Sequence, residues 1–235
     1  MIQIGCCGFP VARQKYFDTF RVVELQQTFY QPPLLSTVQK WRKEAPPDFE
    51  YTLKAWQLIT HEPSSPTYRR LKIKIPQSKE KNYGSFKPTD EVYAAWEKIK
   101  EIADALHAKV IVFQCPASFE PTAENKSNLK RFFFSMKTDT YIFAWEPRGK
   151  WDEKEIEILC QELNLIHCVD PFKSKPIFGS ICYYRLHGIG GYRYKYTQED
   201  MNTLKNFMKE KINIYVMFNN ISMYNDALTF KNFFR

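Results

Sequence analysis

A chain of 235 residues with 44% hydrophobic and 16% aromatic residues can build one large α/β domain or two small ones. It contains no apolar run of the ~18 residues that a membrane span needs, and its first residues lack the regions of a secretory signal, so we expect a soluble, cytoplasmic protein without a membrane partner. Its six cysteines include no CxxC pair, which disfavours a zinc ribbon, and we expect mostly reduced thiols.

The net charge of +8 is concentrated in one part of the chain. Between Tyr68 and Lys87 there are seven basic residues against one acidic residue, a net charge of +6. Positive charge at this density suits phosphate or nucleic acid through counterion release, although a solvated basic loop is the simpler alternative. We predict that this charge belongs to a basic insertion at about residues 62–88, called the basic segment below.

Eight short apolar runs predict β-strands. In chain order they cover residues 2–5, 22–25, 49–55, 110–113, 141–145, 165–169, 181–186 and 214–218. Turn residues follow the first run, where Gly8 and Pro10 stand close together. The basic segment comes after the third run.

Apolar residues at helical spacing follow most of these strands and predict helices. The predicted helices cover residues 36–43, 88–106, 122–136, 152–163, 197–208 and 226–234. Four of them have residues that can cap the first turn, namely Ser36, the stretch 88–91, Asp152 and Thr197.

The alternation of strands and helices indicates parallel βαβ units. Eight such units in a chain of this length predict a (β/α)8 TIM-type barrel, an α/β fold, as a single domain over residues 1–235. The main competitor is a doubly wound open sheet. That fold would ordinarily show a glycine-rich phosphate turn after its first strand, and residues 5–9 match such a turn weakly.

The strand ends carry seven ordered motifs that together resemble one family. They stand at residues 4–9, 23–30, 52–55 with 59–61, 113–116, 145–148, 185–188 and 218–220, and include Trp145-Glu146-Pro147-Arg148 and Arg185-Leu186-His187-Gly188. This set resembles the motifs of the YecE-like family of domains of unknown function and spans essentially the whole chain.

The resemblance implies a TIM-type barrel, related at fold level to the sugar-isomerase and endonuclease barrels, and it brings no settled activity. The chain departs from the family pattern at two places. Cys7 stands where the first motif usually has a serine, which argues against a role for a hydroxyl there. The stretch from Tyr68 to Lys87 is also longer and more charged than in many members.

In a TIM-type barrel the carboxyl ends of the strands meet at one mouth, where catalytic groups sit. Seven strand ends supply polar or charged side chains to this place: Glu24, Gln26, Lys54, His61, Gln114, Glu146, Arg148, Asp170, Arg185, His187, Asn219 and Asn220. Alternation along the strands places Arg185 and His187 on one face with Tyr183. A buried ion-pair network that only holds the barrel together is the structural alternative.

The residue types suggest roles in this mouth. His187, Glu146, Asp170 and Lys54 are the candidate catalytic groups, with His187 the best general acid or base because imidazole titrates near neutral pH. Arg185 and Lys54 would hold an anion. Tyr30, Trp151 and Tyr192 could offer stacking surfaces for a sugar or base, although packing is the commoner role of such aromatics.

Metal binding is not part of the main prediction, and no cofactor is predicted. The chain has four histidines, of which His61 and His187 lie near the predicted mouth. The alternatives are a single Mg²⁺ or Mn²⁺ held by Glu146 and Asp170, or a thiolate cluster of Cys6, Cys7, Cys115 and Cys168.

The function expected from these observations is binding of a phosphate-bearing or otherwise anionic ligand at the mouth, with metal-independent hydrolysis or elimination on a phosphorylated sugar or nucleic acid. The alternative is a nucleic-acid-binding protein without chemistry, which would use the basic segment through Arg69, Arg70, Lys72, Lys74, Lys79 and Lys81. In that case Tyr68, Tyr83 and Phe86 would supply stacking surfaces.

Overall fold

Eight parallel strands lie side by side in a nearly closed barrel, which confirms the predicted TIM-type fold. The computed structural model describes residues 1–136, 140–208 and 213–234. The strands are β1 (Ile2–Cys7), β2 (Val22–Leu25), β3 (Glu50–Lys54), β4 (Val110–Gln114), β5 (Ile142–Glu146), β6 (Ile166–His167), β7 (Cys182–Leu186) and β8 (Ile214–Phe218).

The strands are hydrogen-bonded in the order β6-β5-β4-β3-β2-β1-β8-β7. β1 pairs with β2 on one side and with β8 on the other, so the first and last strands meet in the sheet. β6 is shorter than the predicted strand over residues 165–169. Between β6 and β7 the described residues form one isolated bridge, from Val169 to Tyr184, which brings the two edges of the sheet together.

Helices cover the outside of the barrel. They are α1 (Arg13–Thr19), α2 (Gln27–Tyr30), α3 (Leu35–Glu44), α4 (Gln57–Thr60), α5 (Asp90–Leu106), α6 (Ala123–Ser135), α7 (Glu153–Leu163), α8 (Gln198–Phe207) and α9 (Met223–Asn232). The connection from β6 to β7, residues 168–181, is described throughout and contains no helix.

The strands bury both faces, as parallel sheets covered by helices do. The inner face packs a small cluster along the barrel axis that includes Val112, Ala144, Cys168, Tyr183 and Met217. The outer face packs against the helices in a larger cluster rich in aromatic side chains. Tyr183 belongs to the inner cluster. Arg185, the next residue on the same face of β7, therefore lies inside the barrel toward its carboxyl end.

Helix starts were predicted well where a side chain caps them. Asp152 and Thr197 accept hydrogen bonds from first-turn amides of α7 and α8. The prediction that Ser36 caps a helix is wrong, because α3 begins at Leu35 and places Ser36 inside its first turn. α1 was not predicted, because its N-cap Ala12 has no side chain that can cap it.

The basic segment connects α4 to α5 along the surface. It contains two 3₁₀ helices, Pro66–Arg70 and Gln77–Asn82. Its end is anchored where the amides of Gly84 and Phe86 donate to the carbonyls of Leu58 and Ile59. No helix in the described ranges is long and apolar enough to cross a membrane.

Two aromatic residues of the basic segment are not available for stacking on a nucleic acid. Phe86 is fully buried among Phe113, Phe119 and Phe132, and Tyr83 is also buried. The stacking role given to these two side chains is therefore wrong, since their apolar rings gain more from the core than from the surface. Tyr68 is half-buried and donates its hydroxyl to the carbonyl of His61.

Candidate active site

A buried ion-pair network closes the carboxyl end of the barrel. Arg185 at the end of β7 is fully buried and lies between Glu24 of β2 and Glu146 of β5. Its Nε and Nη2 groups donate to Glu24 Oε1 at 3.1 and 2.7 Å, and its Nη1 group donates to Glu146 Oε2. Three strands that are distant in sequence are thus joined by one guanidinium.

The carboxylates of this network are held by further donors. The Tyr183 hydroxyl donates to Glu24 Oε2 at 3.0 Å, and the Gln26 amide also donates to Glu24. Gln114 donates to both oxygens of Glu146, at 2.9 and 2.8 Å. Each buried charge therefore has several hydrogen bonds, which is the condition for a stable buried pair.

The network sets the charge state of its members. Burial alone would raise the pKa of Glu146, but Arg185, Arg148 and His187 hold this pKa well below its usual range. Burial alone would lower the pKa of Arg185, but Glu146 and Glu24 raise it. Both groups stay charged near neutral pH, so neither serves as a proton donor or acceptor in this arrangement.

Lys54 at the end of β3 has a different environment. Its side chain is 5% exposed, and its Nζ atom donates to Gln114 Oε1 at 2.8 Å and lies 3.4 Å from the centre of the Phe29 ring. Among the described residues, no carboxylate oxygen lies within 4.0 Å of this ammonium. Burial and the neighbouring Arg185 lower the pKa of Lys54 to about 7. This amine therefore changes charge near neutral pH.

His187 follows β7 and has a defined tautomer. Its Nδ1 atom lies 2.9 Å from the carbonyl oxygen of Arg185, which only accepts, so Nδ1 carries a proton. Its Nε2 atom lies 2.7 Å from Arg148 Nη2, which only donates, so Nε2 is the acceptor. The imidazole is neutral in this arrangement. It presents its basic nitrogen toward Arg148.

Arg148 joins the histidine to the network. Its Nε group donates to Glu146 Oε1 at 3.0 Å, while its side chain remains 42% exposed. This guanidinium is thus the accessible counterpart of the fully buried Arg185. It can turn toward a ligand without leaving the Glu146 carboxylate unpaired, because Arg185 and Gln114 still donate hydrogen bonds to it.

Asp170 holds the backbone around His187. It accepts hydrogen bonds from the amides of Phe172 and His187, both at 3.2 Å, and its Oδ2 lies 3.8 Å from His187 Nδ1. This places the carboxylate as a positioning group for His187. Contact with a ligand in the mouth is not needed for that role.

Two cavities meet at the pair formed by Arg148 and His187. The mouth cavity, of about 440 Å³, is lined by Cys7, Gln26, Tyr30, Lys54, Arg70, Gln114, Arg148, His187, Tyr192, Asn219 and Met223. The side cavity, of about 400 Å³, is lined by Glu146, Asp170, Lys173 and other residues after β5 and β6, and also by Arg148 and His187. A ligand in either space would contact this pair.

The remaining predicted residues fall into two groups. Gln26, Tyr30, Tyr192 and Asn219 line the mouth cavity, with Tyr30 stacked under the Arg70 guanidinium at 3.6 Å. His61, Asn220 and Trp151 lie outside the lining of both cavities.

Each member of this second group has a local partner. Asn220 donates to the carbonyl of Tyr194 and to Asp226, and the Trp151 indole donates to the carbonyl of Phe119. Burial, with Lys54 and Arg148 nearby, lowers the pKa of His61 to about 3.

Several residues that shape the mouth were missed from the sequence. Phe29 lies under the Lys54 ammonium, and Tyr183 links Glu24 to the Thr52 hydroxyl. Arg70 was assigned to nucleic acid alone, yet it lines the mouth cavity. Alternation along β7 had placed Tyr183 on the face of Arg185 without giving it a role in the mouth, whereas the other two positions depend on contacts between distant segments.

A metal site is not evident in the part of the chain that the structure describes, which contains no group of three or more His, Cys, Asp or Glu side chains able to hold an ion. A single Mg²⁺ or Mn²⁺ on Glu146 and Asp170 would have to displace hydrogen-bond donors from both carboxylates. All six cysteines are buried and form no disulfide, and Cys7 Sγ lies 4.0 Å from Arg185 Nη2.

The comparisons with known proteins agree on one family. A family model described as "Protein of unknown function DUF72", which is the same family as the YecE-like domains, matches residues 12–234. A crystal structure of a DUF72 family protein from Enterococcus faecalis V583 has a TM-score of 0.75 at 19% identity, covering 100% of this chain and 97% of that one. Another from Thermotoga maritima MSB8 has a TM-score of 0.68 at 20% identity, covering 100% and 99%. The comparison with curated proteins found no match.

We predict that Arg185→Met lowers the free energy of unfolding by about 3–5 kcal/mol, because it leaves two buried carboxylates without their shared cation. Urea denaturation measures this loss. The double variant Arg185→Met with Glu24→Gln should be more stable than Arg185→Met alone, since one of the two uncompensated charges is removed. A double variant less stable than Arg185→Met would contradict the assignment of the pair.

The lowered pKa of Lys54 predicts that the free energy of unfolding rises with pH. The Lys54 pKa of about 7 in the folded chain lies below the unfolded value near 10.5, so the unfolded chain binds more protons between these values and stability increases with pH. Relative to Lys54→Met, the wild-type protein should gain about 2 kcal/mol between about pH 7 and pH 9.

Urea denaturation of both proteins at the two pH values checks this prediction. The difference between the two proteins cancels the titration of the cysteines and tyrosines that they share. A difference that does not change with pH would show that Lys54 keeps an ordinary pKa.

Proposed function

This chain belongs to the DUF72 family of proteins of unknown function, and on that premise we propose that its barrel mouth binds a phosphate-bearing or otherwise anionic small molecule and acts on it by acid–base chemistry. The observation that carries this proposal is the excess of positive charge around the mouth cavity. Lys54, Arg70 and Arg148 line the cavity. The carboxylates of the network, Glu24 and Glu146, are already held by Arg185.

The three cations that line the cavity differ in their ion-pair partners. Arg148 shares Glu146 with Arg185. Lys54 and Arg70 have no ion-pair partner in the described ranges, and each lies against an aromatic ring instead. Cations in a cavity with few competing anions attract a negatively charged ligand strongly, because water screens them poorly there. Arginine is suited to bidentate contact with phosphate or carboxylate.

The proposed chemistry uses His187 and Lys54. When Arg148 turns from His187 to the ligand, the Nε2 atom of the neutral imidazole becomes free to take a proton. Lys54, with a pKa of about 7, can give or receive a proton in the same cavity. Lys54 and Arg148 would neutralise charge that develops on a departing phosphate or alkoxide. Side chains supply every part of this scheme, so the reaction proposed is metal-independent hydrolysis or elimination on a phosphorylated sugar or similar molecule.

We predict that the protein binds inorganic phosphate in the mouth and that Arg148→Met weakens this binding about tenfold or more, because one charge-assisted contact is lost. Isothermal titration calorimetry measures the affinity. Arg131→Met, which removes an exposed arginine from α6, is the matched control and should bind phosphate as the wild type does. Equal phosphate affinity in all three proteins would place the anion elsewhere.

Loss of the imidazole should abolish turnover while binding survives. With a panel of sugar phosphates and detection of released inorganic phosphate, His187→Asn is expected to lower the rate by about 10²–10⁴-fold, the usual contribution of a general acid or base. Calorimetry with inorganic phosphate confirms that the variant still binds an anion. Unchanged turnover in both His187→Asn and Lys54→Met, with binding retained, would rule out catalysis at this place.

Binding of single-stranded nucleic acid by the basic segment is the second candidate. The observations that favour it are the exposure of Arg69, Lys72, Lys74 and Lys81 and a groove of about 760 Å³ beside the mouth that the basic segment helps to line. Arg70 and Lys72 line this groove, while Lys79 is paired with Glu91. A strand following these charges would lead to the mouth cavity, because Arg70 lines both spaces.

This second candidate predicts a steep salt dependence. Replacing Lys72, Lys74 and Lys81 by Gln should reduce the slope of log affinity against log salt by about 2 for a single-stranded oligonucleotide. Fluorescence anisotropy at several salt concentrations measures the slope. A variant with Lys40, Lys100 and Lys154 replaced by Gln is the charge-matched control. An affinity that does not change with salt concentration would exclude this candidate.

A further inference from the structure

We propose that Lys54 is a nucleophile that forms a Schiff base with an aldehyde or ketone carrying a carboxylate or phosphate group, inside the mouth cavity. This inference rests on the proposed function, because the same cations hold the anionic group of the substrate. It adds a covalent step and a substrate class to that function. The lysine, its neighbours and the cavity each contribute a separate argument.

The first argument is the position of the amine. Lys54 ends β3 and lines the cavity, and its side chain is almost fully buried. One N–H bond points to Gln114 Oε1 at 2.8 Å, and the Phe29 ring covers another side of the nitrogen at 3.4 Å. A lysine amine is otherwise a flexible, strongly hydrated group. Here two contacts direct it into the cavity.

The second argument is the identity of the hydrogen-bond partner. Gln114 donates its amide hydrogens to Glu146, so its oxygen must face Lys54. This partner is a neutral amide. A carboxylate at the same place would stabilise the ammonium form, whereas a neutral amide accepts one hydrogen bond and allows the amine to lose its proton. Nucleophilic lysines are activated by desolvation and by neighbouring cations, and the shift of the Lys54 pKa has these two causes.

The third argument is the rest of the cavity lining. Arg148 and Arg70 lie on the same cavity as Lys54 and can hold a carboxylate or phosphate while a carbonyl group meets the amine. The mouth cavity measures about 440 Å³, which suits a small oxo acid or a phosphorylated carbonyl compound. Tyr192 and Asn219 complete the wall with polar groups that can contact hydroxyls.

The neutral Lys54 nitrogen donates its electron pair to the carbonyl carbon, and the C=O π electrons move to oxygen. A first proton then passes from the nitrogen to this oxygen and gives a carbinolamine. A second proton passes from the nitrogen to the hydroxyl, and the C–O bond breaks to release one water molecule and leave a C=N bond. His187 lies on the same cavity with Nε2 as its acceptor and can carry this proton. No oxidant, reductant or metal takes part.

The test uses borohydride to reduce the Schiff base in the full chain. Pyruvate and dihydroxyacetone phosphate are the two probes, one carrying a carboxylate and the other a phosphate. Sodium borohydride converts the adduct to a stable secondary amine, so the intact mass should rise by the mass of the probe less one oxygen atom. Peptide mapping should place this mass on Lys54, with at least tenfold less on Lys98, a half-buried lysine of α5 paired with Glu101. Excess inorganic phosphate should suppress the labelling.

A variant separates the amine from its charge. Lys54→Arg keeps a cation and is expected to bind inorganic phosphate but to lose the adduct, whereas Lys98→Met should label as the wild type does. Because the peptide map of the wild-type protein locates the label, the test does not depend on the folding of Lys54→Arg.

The possible results distinguish the inference from the proposed function. Phosphate binding without selective labelling of Lys54 by either probe would overturn the inference and leave the proposed function standing. Selective labelling of Lys54 that excess phosphate does not suppress would support the nucleophile and contradict the anion site. Absence of both would contradict the two proposals together.

Discussion

The buried guanidinium of Arg185 is the group on which the arrangement of the mouth depends. A buried arginine is costly unless carboxylates and further hydrogen bonds surround it. Here Glu24 and Glu146 face it from two other strands, so the ends of β2, β5 and β7 are held together in three dimensions. Glu146 in turn orients Gln114 and Arg148. The positions of the groups proposed to meet a ligand follow from this interaction.

The same network decides which groups remain available for chemistry. Arg185 and Glu146 stay charged, and together with Glu24 they satisfy one another's hydrogen bonds, which makes all three structural supports. Lys54 receives a neutral amide and an aromatic ring as neighbours, and His187 receives a backbone carbonyl and an exposed guanidinium. Lys54 and His187 can therefore exchange their hydrogen-bond partners without breaking an ion pair with a carboxylate that binds Arg185. The mouth combines a rigid ionic network with side chains that are available to a ligand.

Much of the fold and part of the mouth could be predicted from the sequence. Eight apolar runs alternating with helical stretches predicted the barrel, and the period-two alternation of β7 placed Tyr183 and Arg185 on one face. Tyr183 lies in the inner cluster, and its hydroxyl binds the same carboxylate as Arg185. The structural alternative stated from the sequence was a buried ion-pair network, and Arg185 forms one with Glu24 and Glu146.

The sequence could not predict which basic side chains pair with which carboxylates. Arg185 was expected to hold an anion, yet it pairs with Glu24 and Glu146 and is fully buried, because the register of β2 against β1 and β3 brings Glu24 beneath it. Phe86 was expected to offer a stacking surface, but its ring is buried in the hydrophobic core. Short helices such as α1 escaped prediction because they lack capping side chains and are stabilised by packing of Tyr16 and Phe17.

The most direct test of this account is the position of an anion in a crystal of the protein soaked with selenate, located by its anomalous scattering. We predict a selenate ion in the mouth cavity, within hydrogen-bonding distance of Lys54 and Arg148, with Arg185 still bound to Glu24 and Glu146. Selenate found along the basic segment, with the mouth cavity empty of it, would contradict the account.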